Sequence, residues 1–173
     1  MTARGFSLVE VLVSVGIIGL LSAVAFPNLR DFLKQGEIDN AALQVLNTLK
    51  TAQSSAFSRI KCPKDEVSDT WIVRLSSQGY SLISVCQTLG EQSVFSNKPY
   101  SPSGADTVTT FTGAVDVCPN DTTDIIFSKS QVNYICLSQG ILKTGTVMLI
   151  LTNSASNLSK AVRIESGGVL KVE

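Results

Sequence analysis

The sequence predicts an α+β fold: one long N-terminal helix, transmembrane in its first half and amphipathic in its second, packed on an antiparallel β-sheet head. Three observations predict it. Phe6 to Phe26 is an apolar run carrying a single charge, Glu10. From Ile38 onward apolar residues recur every three or four positions, the period of one helix face. After Pro63 the composition turns β-type, with short apolar runs between turn residues. One helix followed only by strands is the α+β pattern.

The apolar run comes first. At about 1.5 Å per residue, residues 6–26 extend close to the thickness of a bilayer's hydrocarbon core. Glu10 opposes such a placement, because an acid well inside a bilayer costs about 2–3 kcal/mol on insertion scales. A carboxylate there needs a named partner. Glu10 lies four residues after Phe6, so the two share a helix face. If the chain were cut between Gly5 and Phe6, the new α-amino group of Phe6, on the same or a neighbouring subunit, would supply the cation.

Two plainer readings compete. Ala23-Val24-Ala25 is an A-x-A site behind a basic n-region at Arg4, as in a secretory signal peptide. Its apolar stretch is longer than such a peptide normally has, and it contains an acid. A plain single-pass anchor is physically sound but leaves Glu10 and the Gly5-Phe6 junction unexplained. Arg4 on one side and Arg30 and Lys34 on the other do not settle its orientation.

In the second half of the helix, Ile38, Ala42, Val45, Leu49, Ala52, Ala56 and Ile60 form one stripe, with Asp39, Asn40, Asn47, Lys50, Gln53 and Ser54 largely off it. Packing against the head's own sheet is sufficient reason for that stripe. Pro27 lacks the N–H a helix interior needs and is the expected kink, and Gly36 is a second weak point. The segment from Phe6 to about Arg59 thus reads as one long interrupted helix.

In the head, Trp71–Leu75 and Tyr80–Val85 flank Ser76–Gly79 as a hairpin. Residues 88–106 contain Gly90, Pro99, Pro102 and Gly104 and read mostly as loop. Thr107–Phe111 reads as a strand. Ile125–Phe127 and Asn133–Cys136 flank another turn. Thr146–Leu151 is nearly continuous in apolar residues, which places it centrally in the sheet. Lys160–Ile164 and Val169–Val172 close the chain as a hairpin around Glu165–Gly168.

All four cysteines, Cys62, Cys86, Cys118 and Cys136, follow residue 60. Their spacing fits no zinc pattern and histidine is absent, so an even number in an exported head predicts two disulfides. Four cysteines allow three connectivities. The sequential one, Cys62–Cys86 with Cys118–Cys136, is preferred because each bridge would close a short hairpin-like excursion.

The chemistry that is missing is equally informative. With no histidine, Ser-His-Asp and Cys-His arrangements are excluded, and no phosphate-binding glycine loop occurs. No enzymatic activity and no cofactor are expected. Asp116, Asn120, Asp121 and Asp124 surround Cys118-Pro119, but their spacing matches no calcium loop and turn chemistry accounts for them, so no metal site is expected. With 14 basic and 14 acidic residues and no Lys/Arg run, the chain gives no electrostatic reason to expect nucleic-acid binding.

Gly5-Phe6-Ser7-Leu8-Val9-Glu10, behind a short basic leader and ahead of a hydrophobic helix, closely resembles a type IV prepilin signal. Gly19 and Pro27 also fall where pilin helices commonly have a glycine and a kinking proline. The resemblance covers roughly residues 4–35. It implies cleavage by a prepilin peptidase after Gly5, methylation of the Phe6 amine, and assembly into a helical filament through Phe6 and Glu10. Its implied partners are other pilin or pseudopilin subunits, the peptidase, an inner-membrane assembly platform, and membrane lipid before assembly. The implied organisation is a leader at 1–5, a membrane and filament-core helix at 6–26, an amphipathic helix at 27–60 and a globular head at 61–173. The final stretch, Lys160 to Val172, resembles the C-terminal hairpin of H-type pseudopilins and FimT-like minor pilins. Some of the latter bind DNA through C-terminal arginines. Here Gly168 is followed by Val169 and Leu170, and only Lys160, Arg163 and Lys171 are basic, which puts a DNA-binding role in doubt.

Overall fold

The computed structural model describes residues 7–58, 68, 70–86, 89–100, 111–115, 118, 121–129, 131–140, 142–153, 157–165 and 167–173. Of residues 24–31 and 111–115 only the backbone is described. The chain divides into two units, Met1–Gly36 and Glu37–Glu173.

Helix α1 runs from Leu8 to Ser58 without a break. Pro27 and Gly36, the expected kink and weak point, both lie within its helical backbone. A proline removes one backbone donor, and a long helix continues when its neighbouring bonds hold. The C-terminal end falls at Ser58, within two residues of the expected one.

In the second unit the helix presents the predicted stripe to the core. Ile38, Ala42, Val45, Leu49, Ala52 and Ala56 are all buried, joined by Ala41 and Leu46. Ile60 lies outside the described residues. Four of these positions are alanine, so the helix axis can lie close to the strands beneath it. Leu49 supplies bulk between them, and complete burial of such a side chain stabilises by about 1.5–3 kcal/mol.

Two antiparallel sheets share this core. The first has six strands in the order β3-β2-β1-β5-β6-β7: β1 Thr70–Leu75, β2 Gly79–Cys86, β3 Gly90–Pro99, β5 Thr123–Phe127, β6 Val132–Cys136 and β7 Leu142–Lys143. The second has four in the order β10-β9-β8-β4: β4 Phe111–Val115, β8 Val147–Asn153, β9 Leu158–Ile164 and β10 Leu170–Val172. Strand alternation sends Trp71, Val73 and Leu75 of β1, Ile125 and Phe127 of β5, and Val147, Leu149 and Leu151 of β8 into one hydrophobic cluster with the helix stripe.

The predicted hairpins are present. β1 pairs with β2, from Thr70 opposite Val85 to Leu75 opposite Tyr80. β5 pairs with β6 and β9 with β10. β8 is central in the second sheet, between β9 and β4, and its residues alternate buried and half-buried.

Two expectations are corrected. Much of the segment read as loop is a ten-residue edge strand, β3, because its backbone pairs with β2 although its own side chains are mostly exposed. Of the strand expected at Thr107–Phe111, residues 107–110 lie outside the described ones and Phe111 belongs to β4. The head has two sheets where the sequence reading had one.

Glycine is required where β3 crosses the first hairpin. A Cβ on Gly79 would stand 2.6 Å from the Lys98 carbonyl oxygen, far inside van der Waals contact. Gly168 turns the last hairpin at φ +80°, in the left-handed region.

Candidate functional site at the apolar end of the helix

The helix begins with two turn bonds: the Glu10 and Val11 amides donate to the Ser7 carbonyl at 3.0 and 3.2 Å. Glu10 sits in the first turn, where the partial positive charge of the helix N-terminus favours a carboxylate. Its side chain is exposed. Gly5 and Phe6, the proposed processing and assembly residues, lie outside the described residues, as does Cys62. Pro27 is described only as helical backbone.

Beyond Glu10 the helix is apolar on every side. Leu8, Val9, Val11, Leu12, Val13, Val15, Ile17, Ile18, Leu20 and Leu21 are each more than half exposed, with Leu8 at 75% and Leu20 at 74%. Consecutive helical residues point about 100° apart, so this set covers the whole circumference. The two hydroxyls in this stretch turn back onto the helix. Ser14 Oγ donates to the Glu10 carbonyl at 2.7 Å and Ser22 Oγ to the Ile18 carbonyl at 2.8 Å. Neither needs a partner from the surroundings, the condition for a polar group in an apolar medium. Among the described residues no helix is long and apolar enough to cross a membrane.

The head supplies no competing chemistry among its described residues. Arg74 and Asp124 form a two-pronged ion pair, with Nε and Nη2 each 2.7 Å from a carboxylate oxygen. Glu91 lies 3.5 Å from the same guanidinium. The hydrogen bond to Asp124, reinforced by both acids, pushes the Arg74 guanidinium above its ordinary range despite partial burial. Sequence reasoning grouped Asp124 with a loop cluster and missed this pair. The available signal was one charge in each of two strands whose other residues are mostly apolar.

Asp121 accepts bonds from the Ser138 amide at 2.9 Å and the Thr122 amide at 2.8 Å, and from the Ser138 hydroxyl. These donors hold its carboxyl below the usual range, the Ser138 hydroxyl contributing most. Asp116 and Asn120 lie outside the described residues. Among those described, no three acidic, cysteine or histidine side chains group as a metal site would require.

Cys118 and Cys136 are joined by a disulfide with Cα atoms 5.7 Å apart, the predicted second bridge. Cys86 is also disulfide-bonded. The three basic residues of the last hairpin all face acids: Lys160 lies 3.2 Å from Asp39, Arg163 3.6 Å from both Glu165 and Glu173, and Lys171 3.7 Å from Glu165.

Residues 1–26 match the family described as the prokaryotic N-terminal methylation motif. In that N-terminal stretch the chain is similar to type IV pilins. Two fimbrial proteins of Pseudomonas aeruginosa are each 34% identical over 91 residues, covering 47% of this chain and 58% of theirs. The type IV major pilin protein PilA of Myxococcus xanthus is 42% identical over 66 residues, 38% of this chain and 28% of its own length. The matched part of the chain thus spans little more than half the length of the fimbrial proteins. No solved structure matches it.

Proposed function

We propose that this chain is a structural subunit, a minor pilin or pseudopilin, of a type IV pilus or a type II secretion pseudopilus. A prepilin peptidase removes residues 1–5, the Phe6 amine is methylated, and the helix is held in the inner membrane with the head exported. An assembly platform then moves the subunit into a helical filament. Identical contacts repeated head to tail without closure give such a filament.

The observation that carries this reading is the helix from Leu8 to Leu21, apolar around its whole circumference and exposed. A helix that is hydrophobic all round is stable only when enclosed, by lipid or by protein. Membrane residence followed by burial in a filament core supplies both in turn. Glu10 then has a function: its carboxylate neutralises the Phe6 amine as subunits dock. The match to a methylation motif over residues 1–26 supports the same junction.

Display of a DNA- or surface-binding head on such a filament is the alternative. The acidic neighbours of Lys160, Arg163 and Lys171 argue against DNA, because a phosphate backbone is attracted by uncompensated cations.

The test is mass spectrometry of the mature chain. It should begin at Phe6 with one added methyl group. A mature N-terminus at Phe26 would establish a secretory signal peptide, and one at Met1 a plain anchor; either overturns the proposal.

A further inference from the structure

We draw no further inference here: the strongest candidate, the shallow notch floored by Phe127 between Phe57 at the end of the helix and Gly167-Gly168 of the last hairpin, carries nothing because nothing in the structure shows what covers it.

Discussion

Arg74 and Asp124 stand directly opposite each other on the central strand pair of the six-stranded sheet, joined by two 2.7 Å hydrogen bonds. The carboxylate is almost fully buried, with its side chain 7% exposed, whereas the guanidinium is about a third exposed. The two partners are therefore not equivalent. Removing the arginine strands a buried negative charge, whereas removing both leaves no buried charge at this position.

From that asymmetry, Arg74→Met should destabilise the chain by about 3 kcal/mol, as expected when a buried ion loses its partner. The double variant Arg74→Met/Asp124→Leu should recover most of the loss. Urea unfolding of both variants in detergent checks this. A double variant as unstable as the single one would show that packing, not charge, dominates.

Asp121 yields a pH prediction. Its carboxyl is held below the usual range in the folded chain, so its contribution to stability is present above the ordinary carboxylate range. That contribution disappears as pH falls through the depressed folded value. Asp121→Asn should lower Tm at neutral pH, and the gap to wild type should close on acidification. A gap that widened in acid would reverse the assignment.

Gly168 is open to a direct test. An alanine there would have to hold a left-handed backbone and would place its Cβ 2.5 Å from Gln53 Nε2. Gly168→Ala should cost about 1–2 kcal/mol from the backbone alone. Gln53→Ala, which loses only the 2.8 Å bond to the Gly168 carbonyl, should cost about 1 kcal/mol. Thermal melts should rank the glycine variant below the glutamine variant.

The cysteines predict a clean chemical result. The unfolded, unreduced chain should contain no titratable thiol, and non-reducing peptide mapping should link Cys62 to Cys86 as well as Cys118 to Cys136. Replacing Cys118 and Cys136 together with serine should cost about 2–4 kcal/mol. A map joining Cys62 to either of the other two would contradict both the structure and the preferred connectivity.

The proposed assembly role of Glu10 is open to a direct test. Glu10→Val removes the one acid from the apolar run, so membrane insertion should be at least as efficient as in wild type and the chain should still be cleaved. Incorporation into filaments should fall. Competing tagged wild-type and variant subunits in one cell measures the defect, and equal incorporation would remove Glu10 from the docking contact.

The elements legible in the sequence were those whose side chains report their surroundings. The stripe from Ile38 to Ala56 is buried as its spacing required, and the hairpins around Ser76–Gly79 and Glu165–Gly168 follow their turn residues. β3 was illegible because it opens with Gly90, Glu91, Gln92 and Ser93, which show no apolar alternation; its pairing with β2 makes it a strand. The partition into two sheets was illegible too, since a strand's own pattern does not say which neighbours it pairs with. At the helix start the signal is one charge in an apolar run, a local property that needs no fold to be read. The Arg74–Asp124 pair needed the register of β1 against β5, which only the folded chain supplies.

The bond from Gln53 to Gly168 joins positions 115 residues apart. The helix stripe is made first in synthesis, yet part of the surface that covers it, Leu149, Leu151, Val162 and Ile164, is made near the end. For much of its translation the chain therefore carries a completed amphipathic face whose cover is only partly made. The core of the head is complete only once its last hairpin strands have been made.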